Sequence, residues 1–128
     1  MNSTLQSSNL VHTLGNTKQI SLRNKGKLFH LPIDQIEYIQ AARNYSIIYA
    51  QNGKFWVSSK TLLAFDESLN EHQFLRLHRS YLVNISVVVD CLYDNDSLVV
   101  ILKNDKKIMV SRRQVKRVKS TFGNTKPL

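Results

Sequence analysis

Ile36-Glu37-Tyr38-Ile39-Gln40-Ala41-Ala42-Arg43-Asn44-Tyr45-Ser46-Ile47-Ile48-Tyr49-Ala50-Gln51-Asn52-Gly53-Lys54-Phe55-Trp56-Val57-Ser58 is the stretch that decides the fold. It contains successive runs rich in β-branched and aromatic residues, the side chains that fit a pleated sheet. Ile36 to Ala41 reads as one strand, Tyr45 to Ala50 as a second and Lys54 to Ser58 as a third. Asn52-Gly53 joins the last two, and Asn-Gly readily takes the left-handed backbone of a tight hairpin turn. The other join, Ala42-Arg43-Asn44, is short, polar and positively charged. Strands joined this tightly must run antiparallel.

The same reading extends outward. Upstream, Lys18 to Leu22 suits a strand, Gly26 a turn and Lys27 to Leu31 a further extended run. Pro32 interrupts and Asp34 starts a new element. Residues 1–17, rich in Ser, Asn and Thr, are expected to be a flexible tail or linker. Downstream, Ser59 is the expected N-cap of a helix. Leu62, Leu63, Phe65 and Leu69 form its apolar stripe, and Asp66, Glu67 and Glu71 its acidic face, expected to point away from any nucleic acid. Phe74 to His78 alternates as a strand does, and Tyr81, Leu82 and Val83 suit a core. Ile85 to Tyr93, Leu98 to Lys103 and Lys107 to Val110 form a meander through Asp94-Asn95-Asp96-Ser97 and Asn104-Asp105. Ser111 to Thr121 reads as a second helix, with a capping box between Ser111 and Gln114 and an apolar stripe of Val115, Val118 and Phe122. The expected fold is mostly β: short antiparallel sheets in an elongated β-β-β arrangement with two short helices. One domain is expected over residues 18–122, with a C-terminal tail at 123–128.

Composition narrows the function. The chain has 128 residues, 42% of them hydrophobic, enough for one domain with a core. No apolar run reaches the ~18 residues needed to cross a bilayer, and the N-terminus lacks a secretory pattern. Cys91 is the sole cysteine. It reads as a small buried hydrophobe, and a reducing cytoplasm suits it. His12, His30, His72 and His78 have no metal-ligand spacing. The glycines are isolated, so no phosphate-cradling loop occurs, and there is no Gly-x-Ser-x-Gly elbow. We expect no enzyme, no cofactor, no metal and no membrane partner.

Charge points elsewhere. The net charge is +9. Residues 1–100 carry nine basic and eight acidic side chains, a net of +1, whereas residues 101–128 carry nine basic and one acidic, a net of +8. A solvated face kept for solubility is the plainer alternative, but solubility alone rarely needs charge of one sign concentrated in this way, so a polyanion partner is favoured. Arg112 and Arg113 fall at the expected start of the second helix, where the dipole disfavours cations; a bound phosphate would reverse the sign, and Arg113 could instead reach a guanine edge. Arg43-Asn44-Tyr45 offers a cation, an amide and an aromatic in one turn, although an ordinary turn would also use Asn. Arg76, His78, Arg79 and Ser80 cluster donors at a strand end; the structural reading is preferred for His78. Tyr45, Phe55 and Trp56 could stack on single-stranded bases, but their strand positions read as core.

Taken in order, Ile36–Tyr45, the Asn52-Gly53 hairpin, Lys60-Thr61-Leu62, Phe74-Leu-Arg-Leu-His-Arg-Ser-Tyr-Leu-Val-Asn84 and Val110-Ser-Arg-Arg-Gln-Val-Lys116 resemble the LytTR domain. The match runs from about Lys18 to Phe122, and the block from Phe74 to Asn84 is its most specific part. The resemblance implies a cytoplasmic bacterial transcription regulator that binds duplex DNA through loops. In this reading Asn44 or Tyr45 enters one major groove and Arg113 the next, while Arg76, Arg79 and Ser80 hold the intervening backbone. Lys60, Arg112 and Lys116 are weaker candidates for phosphate contacts. Two copies on spaced direct repeats are implied, as is a signalling partner. Family members usually follow a receiver domain in a response regulator. Only residues 1–17 precede the domain here, so the chain is either an excised domain or a standalone member. The alternatives are an RNA- or single-strand-binding β domain and a protein-interaction module of a signalling pathway.

Overall fold

The computed structural model describes residues 10–123 and 126–127. Its first sheet is an antiparallel set of β1 (Val11–Leu14), β2 (Thr17–Asn24) and β3 (Lys27–Pro32). β1 and the start of β2 correct the expectation of a flexible tail or linker over residues 11–17, while residues 1–9 of that expected tail lie outside the described residues. Leu14 pairs with Thr17 across Gly15-Asn16, and Gly15 takes φ 63, the left-handed value that a tight hairpin of this kind puts on its first loop residue. The strand escapes a hydropathy reading because His12, Thr13 and Leu14 are all exposed. A second tight turn, Lys25-Gly26, joins β2 to β3.

After a 3-10 turn at Ile33–Gln35 come β4 (Ile36–Ala42), β5 (Tyr45–Ala50) and β6 (Phe55–Ser58). Helix α1 (Leu62–Leu69) leads to β7 (Phe74–His78) and β8 (Tyr81–Asn84). These five strands form one sheet in the order β6-β5-β4-β8-β7, each pair antiparallel. Both faces are used. Ile39, Ile48, Leu82 and Phe74 pack with α1 and the first sheet; Tyr38, Val83, Leu75 and Leu77 face the opposite core. Neighbouring residues thus serve different cores, as the two-residue period of a strand requires. The register shifts between Ile36 and Tyr38, leaving Glu37 as the extra residue of a bulge.

The helix cap differs from expectation. Thr61, not Ser59, caps α1: its hydroxyl accepts from the Ala64 amide at 3.2 Å. Ser59 and Lys60 stay tied to the sheet, because the Ser46 hydroxyl donates to the Lys60 carbonyl at 2.7 Å. Of the expected stripe, Leu62, Phe65 and Leu69 are buried, whereas Leu63 is 58% exposed.

The third sheet follows. A 3-10 turn at Ile85–Val87, capped by the Asn84 side chain on the Ser86 amide at 3.0 Å, replaces the expected start of a long strand. Then come β9 (Val88–Asp94), β10 (Ser97–Leu102) and β11 (Lys107–Met109), the expected meander. Arg112–Gln114 form a 3-10 turn and α2 spans Val115–Phe122. No side-chain cap forms at Ser111, so the expected capping box is absent and both arginines precede the α-helix instead of opening it. Finally β12 (Lys126–Pro127), inside the expected C-terminal tail, pairs in parallel with β9. Val118 is buried against the second core, with Val115 and Phe122 packed beside it.

Candidate nucleic-acid interface

The register of the central sheet gathers loops from distant parts of the chain. β4 ends where β5 begins, with Ala42 opposite Tyr45. Ser46 lies opposite Ser58, so the end of β6, and Lys60 just beyond it, sits at the same end of the sheet. Gln40 pairs with Tyr81 and Tyr81 with His78, which adds the β7–β8 turn of Arg79 and Ser80. The Ala41 amide donates to the Ser80 carbonyl at 2.9 Å, tying the two turns together. The Ser111 amide donates to the Leu77 carbonyl at 2.9 Å, which brings the Arg112–Gln114 turn alongside β7.

Between these last segments lies an open cleft of about 470 Å³ lined by Arg76, His78, Arg79, Ser111, Arg113 and Gln114. Arg112 opens instead on an adjoining cleft of about 450 Å³, which shares His78 and Ser111 and includes Tyr93 and Met109. Lys60 lines a separate cleft beside the first sheet. Lys116 is exposed at the second residue of α2 and lines none of these clefts.

Each turn is built to hold its side chains out. Arg43, not Asn44, carries the left-handed backbone of the β4–β5 turn, with φ 59. This conformation is uncommon outside glycine and is imposed by the strands on either side. Arg43, Asn44 and Tyr45 are all exposed. The expectation that Tyr45 and Phe55 belong to the core is corrected: they are 54% and 60% exposed, and only Trp56 packs inward, with its ring 5.4 Å from that of Phe29.

Arg76 is employed internally. Its Nη1 meets Asp66 Oδ2 at 3.1 Å, Nε donates to the His78 carbonyl at 2.8 Å and Nη2 to the Arg79 carbonyl at 2.9 Å. The guanidinium thus clamps the β7–β8 turn from within. Asp66 turns towards the site, against the expectation that this acidic face points away. His78 behaves as a structural histidine: its Nδ1 accepts from the Ser80 amide at 3.1 Å. Among the described residues Asp66–Arg76 is the ion pair formed, and Arg43, Lys60, Arg79, Arg112, Arg113 and Lys116 have no acidic side chain within bonding distance.

A polar cluster that the sequence reading missed lies towards the other end of the central sheet, near the start of β4, where Ile36 faces Ala50. Glu37 is buried and accepts from the Asn104 amide group at 2.9 Å. Burial pushes its carboxyl above the ordinary value, partly offset by the Lys106 charge. The Lys106 ammonium sits 5.4 Å from the Tyr38 ring centre and 5.6 Å from that of Tyr81. Tyr38 stacks on Tyr49 at 4.6 Å, and burial, followed by Tyr49 and then Glu37, pushes its hydroxyl up to about 12. A glutamate inside an apolar strand run was the signal available, but only the bulge reveals that it faces a partner.

No cluster of His, Cys, Asp or Glu suited to a metal ion occurs among the described residues, and no helix there is long and apolar enough to cross a membrane. The model of the LytTR family, described as the LytTr DNA-binding domain, matches residues 26–123. The chain is 30% identical over 109 residues to an uncharacterised response regulatory protein of Yersinia pestis, covering 83% of this chain and 43% of that one. It is 26% identical over 107 residues to the transcriptional regulatory protein BtsR of Salmonella typhi, covering 83% and 44%. The chain therefore spans less than half the length of these curated relatives. Its fold superimposes with a TM-score of 0.73 on a solved LytTr domain assigned to a methyl-accepting/DNA response regulator of Bacillus cereus, at 19% identity, covering 86% of this chain and all of that one.

Proposed function

Because the chain belongs to the LytTR family of DNA-binding domains, we propose that it is a regulator of transcription that reads duplex DNA in a sequence-specific way through the loops at one end of its central sheet. The observation that supports this reading most is the convergence there of unpaired cations from separate segments: Arg43, Lys60, Arg79, Arg112 and Arg113. Unpaired cations held on a rigid frame suit a phosphate backbone, and the planar fork of arginine suits a guanine edge.

In this reading Asn44 and Tyr45 enter one major groove and Arg113 a neighbouring one. Arg79 and Ser80 lie on the backbone between them, Arg43, Lys60, Arg112 and Lys116 supply phosphate contacts, and Arg76 positions the middle turn. Two copies occupy direct repeats, under the control of a receiver domain or another signalling partner in the cytoplasm. The test is selection of bound sites from a random duplex library at near-physiological salt. Enrichment of a short motif, repeated in one orientation about a helical turn apart, is expected. Salt-sensitive binding with no enriched motif would defeat sequence-specific reading.

The exposure of Tyr45 and Phe55 favours a second reading, stacking on single-stranded nucleic acid. Competition between duplex and single strands separates the two.

A further inference from the structure

The β2–β3 hairpin carries Arg23, Lys25 and Lys27, all exposed, and no acidic residue occurs between Thr17 and Ile33. None of the three forms an ion pair. The two-residue turn fixes them: Asn24 pairs with Lys27 across Lys25-Gly26, with φ 54 at Lys25 and 80 at Gly26. Ile20 and Leu22 point into the core, so the alternation of β2 turns Ser21 and Arg23 outward.

The hairpin also lies against β6. A cleft of about 350 Å³ is lined by Arg23, Leu28, Val57, Ser58, Ser59 and Lys60, among others, with no acidic side chain. The direction of the hairpin follows from its contacts. Phe29 packs on Trp56, and one step nearer the hairpin tip Leu28 joins Val57 in the cleft wall. Moving towards the tip therefore means moving along β6 towards Lys60 and the end of the sheet where the other loops converge.

We propose that the tip of the β2–β3 hairpin is a further contact to the DNA phosphate backbone, made by Arg23, Lys25 and Lys27 and continuous with the main interface through Lys60. This rests on the duplex-binding reading and deepens it. The contact lies to one side of the base-reading loops, so it adds affinity and footprint without sequence information. Of the three, Arg23 and Lys25 lie before the segment matched by the family model, residues 26–123, and Lys27 lies just inside it.

The test compares the wild-type chain with an Arg23→Gln, Lys25→Gln, Lys27→Gln variant on a duplex bearing the selected motif, by fluorescence anisotropy across a salt series, with hydroxyl-radical footprinting alongside. Each lost phosphate contact lowers the slope of log K against log salt by about 0.9, so the variant should be shallower by roughly 2 to 3. Its motif preference should be unchanged, and protection should be lost at one flank only. Equal slopes in the two proteins would overturn the proposal, even with weaker binding by the variant, because the hairpin would then act only through the fold; the duplex-binding reading would stand. A wild-type chain that fails to bind duplex DNA would overturn both.

Discussion

Arg76 and Arg113 line the same cleft and are employed in opposite ways. Arg76 commits one donor from each of its three nitrogens, to Asp66 and to the carbonyls of His78 and Arg79. Arg113 is exposed and lacks an acidic partner. Arg113→Ala should therefore leave stability nearly unchanged while costing about 1–3 kcal/mol of binding and relaxing selectivity at one base position. Competition with single-position variants of the selected site reads this directly, and a uniform loss across all of them would make Arg113 a phosphate contact. Arg76→Ala should instead destabilise the fold by about 1.5–3 kcal/mol, since it leaves a partly buried carboxylate without its charged partner. Arg76→Lys should recover only part of this, because an ammonium cannot span two carbonyls and a carboxylate. Urea denaturation with an unchanged midpoint in Arg76→Ala would show the clamp to be idle.

Glu37 supplies the pH dependence at this scale. Its carboxyl titrates higher in the fold than its ordinary value of 4.5, mainly through burial. The native state then holds this proton longer than the unfolded chain does, so this residue's contribution to stability falls as pH rises from about 4.5 through the raised value. Glu37→Gln removes the titration and keeps an oxygen for the Asn104 amide. The melting temperature of the variant relative to wild type should rise across that window; a difference constant with pH would sink the account.

At the level of elements, the two helix starts show what local patterns can reveal. Ser59 and Thr61 both precede an apolar run and both are good caps. The choice between them is made by the sheet, since Ser46 holds the Lys60 carbonyl and delays the helix to Leu62. Thr61→Ala should cost about 0.5–2 kcal/mol and Ser59→Ala almost nothing, measured by thermal or urea unfolding. The central strands were legible because Asn52-Gly53 and the β-branched runs are local signals. Strand β1 was not, because its side chains bury little and only Gly15-Asn16 marks its hairpin. Likewise Arg112 and Arg113 were legible as a pair of cations, whereas their 3-10 turn ahead of α2 depends on the Ser111–Leu77 hydrogen bond, a tertiary contact. The exposure of Tyr45 and Phe55 was hidden for a related reason: a strand pattern does not say which face is left uncovered.

For the whole molecule, the charge asymmetry of the chain and the geometry of the fold meet only in part. The basic residues of the C-terminal segment do not act as one patch: Arg112 and Arg113 join the end of the central sheet, Lys106 lies over Tyr38 and Tyr81, and Lys119 sits 5.5 Å from the Tyr93 ring centre. The cations that supplement Arg112 and Arg113 come instead from the nearly neutral first part of the chain: Arg43, Lys60 and Arg79. Net charge therefore overstates the contribution of the C-terminal segment and understates that of the loops. If the interface neutralises about five phosphates, through Arg43, Lys60, Arg79, Arg112 and Lys116, log K should fall against log salt with a slope near −4.5, steeper where the β2–β3 hairpin also contacts the backbone. Replacing Lys103 and Lys107, exposed cations assigned to neither surface, should leave that slope unchanged. A slope that instead tracked total charge, falling equally for any lysine removed, would mean that the protein meets DNA as a diffuse polycation and that the convergence of loops has no part in binding.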